Sequence, residues 1–151
     1  MDFLPVSIRI KGQKVLIVGG GHVATHKAQI LRRFTEDATV VAPEISQDMK
    51  ELGFTWKEKV FEEKDLDGVS LMFICTGNHA LNRQILEMAH KHYVLASVCD
   101  NPALCDFTSP AIAKEEGLTI AVASDGKDVR RSIRVRNRIK ELIDNGILSL
   151  D

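Results

Sequence analysis

Lys14-Val15-Leu16-Ile17-Val18-Gly19-Gly20-Gly21-His22-Val23-Ala24 passes from an unbroken apolar run into three glycines and then into a stretch with helical spacing. Val15 to Val18 lacks the polar alternation of a half-exposed strand, which predicts a strand covered on both faces. Beyond the glycines, Ala24, Ala28, Ile30 and Leu31 recur at the spacing of one helix face. Strand, glycine turn and helix in this order form the cradle that holds a dinucleotide pyrophosphate. Gly19 permits the tight turn, Gly20 continues it, and Gly21 lets the backbone approach the phosphates. Ala24 takes the small position where helix packs close to strand. The anion is expected on free N–H groups at the helix N-terminus.

A second strand, Ala38 to Ala42, ends at Pro43-Glu44, about 20 residues past the glycines, where an acid meets the ribose hydroxyls of an adenosine. Glu44 in place of an Arg or Lys favours NAD over NADP. Phe54 to Glu58 reads as a third strand after a short amphipathic helix over Ile45 to Leu52. Ser70 to Cys75 is apolar and breaks at Thr76-Gly77-Asn78, and Val94 to Cys99 ends at Asp100-Asn101-Pro102. Between them, Ala80 to His92 predicts a helix with Leu81, Ile85, Leu86 and Ala89 inward. Strands alternating with helices predict an α/β fold with a parallel sheet and right-handed crossovers. Ligands of such a sheet gather beyond the carboxyl ends of its strands. The glycine loop, Pro43-Glu44, Thr76-Gly77 and Asp100-Asn101 are therefore expected in one crevice.

The flanks extend this plan. Pro5 to Ile10 alternates apolar and polar residues, which predicts an edge strand turning at Lys11-Gly12-Gln13 into the glycine-loop strand. A final strand, Leu118 to Ser124, leads to a helix from Val129 to about residue 144, with Asp128 as N-cap and Gly146 as its stop. Ile133, Val135, Ile139, Leu142 and Ile143 cover one broad side of that helix. Five arginines between Arg130 and Arg138 crowd another side. They read either as a solvated helix face or, through Arg130, Arg131 and Arg134, as a grip on a substrate bearing many carboxylates.

A chain of 151 residues accommodates one ordinary domain with a small appendage. Lys and Arg number 20 against 21 Asp and Glu, a net charge of −1, which offers no footprint for nucleic acid. No run approaches the ~18 apolar residues of a membrane span, and Met1 to Pro5 lacks the basic start of a secretory signal. The sequence thus reads as cytoplasmic. Cys75, Cys99 and Cys105 form no CxxC pair and read as reduced thiols near strands. His22 and His26 share a helix face, yet no third ligand accompanies them, so no metal is expected. His79, His90 and His92 read as ordinary helix-end residues.

Several blocks together resemble the precorrin-2 dehydrogenase part of siroheme synthases. They are Leu4-Pro5-Val6, Val18 to Ala24, Lys27-Ala28, Val40 to Glu44, Val98-Cys99-Asp100-Asn101-Pro102 and Cys105-Asp106-Phe107-Thr108-Ser109-Pro110-Ala111. The blocks lie in order over almost the whole sequence, and the Asp-Asn-Pro and Cys-Asp-Phe segments are the selective ones. The resemblance implies NAD-dependent oxidation of precorrin-2 to sirohydrochlorin, with Asp100 catalytic and His22, Val23, Pro43 and Glu44 at cofactor-contact positions. It places Ser124 at the border of the site and implies a homodimer formed through the C-terminal part. Some members also insert ferrous iron. Relatives carry a small-residue stretch and Ser-Pro before the last helix, where this sequence has Asp125-Gly126-Lys127-Asp128. Many also continue into a further helical segment where this one stops at Asp151, so iron insertion is expected less than the oxidation.

The expected organisation is a Rossmann-type NAD-binding domain over residues 1–112 and a dimerisation strand and helix over 113–151. A regulatory nucleotide-sensing module of the same size is the competing class, but such modules lack the block from Asp100 to Ala111.

Overall fold

The structure, a computed structural model, describes residues 2–115 and 117–149. The other four positions, among them the outer ends of both expected domains, lie outside the described residues. Two compact units are present, one built from Ser7–Phe107 and the other from the segments Met1–Val6 and Thr108–Asp151.

In the first unit, β1 (Lys14–Val18), β2 (Ala38–Ala42), β3 (Thr55–Glu58), β4 (Val69–Ile74) and β5 (Leu95–Val98) form one sheet in the order β3-β2-β1-β4-β5. Every pairing in it is parallel. The side chains of β1 divide by parity, as a two-sided strand requires. Val15 and Ile17 join Ala24, Ala28, Leu31, Val40, Met49 and Phe73 on one face. Leu16 and Val18 join Val41, Leu66, Met72, Ile74, Ile85 and Ala89 on the other. Helix α1 (His22–Arg32) and the short α2 (Gln47–Lys50) supply residues to the first face, while α3 (His79–Lys91) and a 3₁₀ turn over Glu63–Leu66 supply the second. Each fully buried Leu or Ile contributes about 1.5–3 kcal/mol, so β1, buried from Val15 to Val18, anchors both layers.

Three expectations are corrected here. Pro5 to Ile10 is not a strand: its residues are mostly exposed, and Ile10 instead closes a turn by accepting the Gln13 N–H at 3.0 Å. Gly12 sits in that turn at φ +78°. Leu81 is 36 % exposed while its neighbour Asn82 is buried at 1 %, so the inward face of α3 is rotated by one residue at its start. Cys75 and Cys99 are not separate thiols. They follow the register pair Ile74 and Val98 on adjacent strands, and they are joined as a disulfide with Cα atoms 5.3 Å apart. Cys105 is free.

The second unit contains β6 (Ala111–Glu115) and β7 (Leu118–Val122) as an antiparallel hairpin, with α4 (Val129–Asp144) packed on both strands. β7 and α4 follow the sequence pattern, whereas β6 shows none. Residues 108–112, expected with the nucleotide-binding part, go with the hairpin because Ala111 and Ile112 pair with Val122 and Ala121. Arg136 donates to the Ile112 carbonyl at 2.8 Å and Lys140 meets Glu115 at 2.8 Å, tying α4 to β6. Asp128 caps α4 by accepting the Arg131 N–H at 2.8 Å, and Gly146 ends the helix at φ +66°. Among the described residues, no helix is long and apolar enough to cross a membrane.

Asp125 holds the N-terminal segment to this unit. Its Oδ1 accepts the N–H groups of Asp2 and Phe3 at 2.7 and 3.0 Å, and its Oδ2 meets Lys127 Nζ at 2.9 Å. The Lys127 ammonium and the two backbone donors hold its carboxyl well below the ordinary 3.8, at about 2. A carboxyl depressed in the folded state stabilises above its unfolded value, and that contribution is lost as pH falls through the folded one. Thermal denaturation in acid is therefore expected to show stability falling between about pH 4 and pH 2. Asp125→Asn is expected to be less stable than wild type at pH 7 and to lack this acid limb; equal acid sensitivity in both proteins would refute the assignment.

Candidate functional site

The glycine loop is closed by backbone contact. Gly19 lies at φ +129°, a conformation suited to glycine, and a Cβ there would overlap the Cys75 carbonyl. A Cβ on Gly20 would overlap the Glu44 carbonyl and lie 2.9 Å from Ile45 Cα. The same three segments are laced by hydrogen bonds: Gly19 N–H to Val41 O at 3.0 Å, Cys75 N–H to Val18 O at 2.8 Å, and Ser46 N–H to Gly20 O at 3.1 Å. Gly21 differs from its neighbours. It is exposed, and a Cβ on it would meet nothing within 4 Å.

Gly21 is also the N-cap of α1 and provides no side-chain acceptor for the first-turn N–H groups. Those donors stay available to an anion. Thr25 braces the turn from below: its hydroxyl donates to Gly21 O at 3.0 Å and touches the Ser46 hydroxyl at 3.1 Å. His22 and Val23 are exposed on the first turn, and Ala24 is fully buried against the sheet. An open glycine backbone, an uncapped helix start and closed packing behind it fit a bound pyrophosphate.

Strand order brings the remaining crevice residues onto one edge. Pro43 and Glu44 follow β2 and are exposed; Thr76 and Gly77 follow β4; Asp100 and Asn101 follow β5. Along the carboxyl edge they stand in the order Glu44, Gly19 to Gly21, Thr76-Gly77, Asp100. Between β1 and β4 the chain reverses its direction of winding, which is where such sheets bind ligands.

Asp100 is surrounded by groups from the first turns of α3. His79 Nδ1 lies 2.8 Å from its Oδ2, and Asn82 Nδ2 lies 3.5 Å from its Oδ1. Asn82 is held in turn by Thr76, whose hydroxyl donates to Asn82 Oδ1 and whose carbonyl accepts the amide at 3.2 Å. Asn78 caps α3, its Oδ1 accepting the N–H groups of Ala80 and Leu81 at 3.0 and 3.1 Å. The helix-end histidines thus have partners that sequence position did not indicate: His90 meets Asp106 at 3.1 Å and His92 meets Glu63 at 3.0 Å.

Lys27 on α1 is half-buried, and this burial pulls its ammonium below the ordinary range, with the Cys105 thiol opposing the shift. The Cys105 sulfur itself is bound into the loop after β5, accepting the Val98 N–H at 3.2 Å. Thr25, Ser46, His79 and Asn82 were missed in the sequence. Ser46, as a cap before Gln47, carried the one readable signal among them. Ser124, Arg130, Arg131 and Arg134 belong to the other unit. Within it, Ser124 Oγ accepts the Asp128 N–H at 3.1 Å, and the three arginines are exposed on α4.

These packing differences separate the glycines by experiment. Gly21→Ala is expected to keep the thermal midpoint within the change of about 0.5 kcal/mol typical of a surface substitution. Its NAD affinity is expected to fall at least about tenfold, or 1.4 kcal/mol, by isothermal titration. Gly20→Ala is expected to lose the folded state, seen by circular dichroism. A Gly21→Ala protein that binds NAD as wild type does would remove Gly21 from the site.

Residues 6–111 match the family described as "Putative NAD(P)-binding". The chain is 32 % identical over 151 residues to siroheme synthase of Photorhabdus laumondii, covering 97 % of this chain and 32 % of that protein. It is 38 % identical over 130 residues to siroheme synthase of Pseudomonas fluorescens, covering 83 % of this chain and 28 % of that protein. The chain spans about a third of the length of these curated relatives. Among solved structures, "SirC, precorrin-2 dehydrogenase" superposes with a TM-score of 0.77 at 25 % identity, covering 92 % of this chain and 70 % of that one. With the matched region running from before β1 through the start of β6 and containing the whole glycine loop, the chain belongs to this NAD(P)-binding family.

Proposed function

We propose that this chain, acting in the cytoplasm, catalyses the NAD-dependent oxidation of precorrin-2 to sirohydrochlorin. The observation that carries the reading is the Asp100 carboxylate, which follows β5 on the same sheet edge as the glycine loop and has a donor from α3 at each oxygen. Likeness to siroheme synthases and to SirC, precorrin-2 dehydrogenase, supports the substrate class. Gly21 and the first-turn N–H groups of His22 to Ala24 would hold the pyrophosphate, with Gly19 and Gly20 keeping the loop closed behind it. Glu44, beside Pro43, would accept from the ribose hydroxyls, which favours NAD over its 2′-phosphorylated form. Thr76 and Gly77 border the next stretch of the crevice. When bound, NAD supplies the hydride acceptor.

Oxidation removes a hydride and a proton, so the chain itself has to accept the proton. Asp100 takes it as general base, its carboxylate held in place by neighbouring donors. Asn101 follows it at the substrate side. A substrate with many carboxylates calls for cations, and the C-terminal unit exposes Arg130, Arg131 and Arg134 as planar forks suited to them. We assign subunit pairing to the C-terminal unit, in which Val129 and Ile133, one helical turn apart, are 62 % and 40 % exposed.

Incubating precorrin-2 and NAD with the protein is expected to produce NADH, followed by its absorbance. Asp100→Ala is expected to lower kcat by about 10²–10⁴, the usual contribution of a general base. NAD binding without turnover in wild type would overturn the enzyme reading and leave a nucleotide-sensing module. For the pairing, sedimentation is expected to give a dimer for wild type and a monomer for Ile133→Glu; a dimer for both would move the interface elsewhere.

A further inference from the structure

His79 stands out among the groups that the oxidation itself does not require. Its backbone is fixed in the first turn of α3 by the Asn78 cap. Its Nδ1 lies 2.8 Å from Asp100 Oδ2, a distance that needs the proton on that nitrogen, because two lone pairs would repel. The side chain is 82 % exposed, so the far side of the ring faces water and Nδ1 faces the carboxylate. On the opposite oxygen, Asn82 is buried, and Thr76 fixes the direction of its amide. Asp100 is itself 37 % exposed at a strand end, where a carboxylate with no donors beside it would rotate freely.

Resting on the reading of Asp100 as proton acceptor, we propose that His79 is a positioning residue for it. His79 clamps Oδ2 through Nδ1–H while Asn82 restrains Oδ1, fixing the plane of the carboxylate and leaving a free lone pair on each oxygen to take the proton. An exposed ion pair with no such duty adds little to stability and nothing to rate. A clamp works differently: displacing a catalytic group costs up to about a hundredfold in rate even when the substrate still binds.

Two substitutions and one spectrum test this. His79→Ala is expected to fold as wild type, to keep KM, and to lose about ten- to a hundredfold in kcat. His79→Asn places an amide N–H where Nδ1–H stood and is expected to recover most of that loss. Ring ¹⁵N spectra of the neutral imidazole are expected to show His79 protonated on Nδ1 in wild type, and on Nε2 in Asp100→Ala. A wild-type kcat in His79→Ala, or an Nε2–H ring in both proteins, would overturn the clamp while leaving the oxidation intact. Failure of the underlying reading looks different: wild type would bind NAD and not oxidise precorrin-2, or Asp100→Ala would retain full activity.

Discussion

Backbone touches backbone at the centre of this fold, and the rest of the nucleotide-binding unit is arranged around that contact. Gly19 lies against the Cys75 carbonyl and Gly20 against the Glu44 carbonyl, with no room for a Cβ at either place. Three strand ends therefore converge to a spacing that side chains would prevent. Because β1 is central in the order β3-β2-β1-β4-β5, this convergence sets the position of every loop on the carboxyl edge. Gly21, one residue later, leaves the packed region and turns its open backbone outward.

Rigidity behind the loop complements polarity in front of it. Both faces of the sheet are filled by alternate residues of the same strands, so shifting β1 by one residue would exchange two cores at once. Polar side chains brace the helices where the strands stop. Thr25 and Ser46 brace the first turn of α1, and Thr76 and Asn82 brace the start of α3. Each pair joins a helix to a loop beside it, so the helix starts that border the crevice are fixed by hydrogen bonds as well as by packing.

Much of this was readable in the sequence where local chemistry and global placement agree. The apolar run before Gly19, the small residue at Ala24 and the breaks after β2, β4 and β5 each carry their own signal, and their sharing of one edge follows from parallel topology. Other features depend on contacts that no local pattern encodes. Pro5 to Ile10 alternates as a strand does but has no ladder in the described structure, whereas Ala111–Glu115, with its Lys and Glu, shows no strand pattern and becomes one by pairing with β7. Cys75 and Cys99 meet because β4 and β5 are neighbours in a particular register, and neither spacing nor composition encodes that register. His79 and Asp100 are likewise brought together by the β4–β5 pairing and the α3 crossover, 21 positions apart in the chain (100 minus 79). At the start of α3 apolar character does not mark the inward face, because the buried Asn82 amide bonds Thr76 while Leu81 turns outward.

The pinned backbone at Glu44 separates what main chain and side chain do at this edge of the sheet. Its carbonyl is locked against Gly20, whereas its side chain is exposed beyond the end of β2. Packing at this point thus rests on main chain with no room for a Cβ at Gly20, while the Glu44 side chain projects from the sheet edge. Substitution of the side chain at position 44 can therefore change the charge at this edge while the backbone contact with Gly20 is carried unchanged.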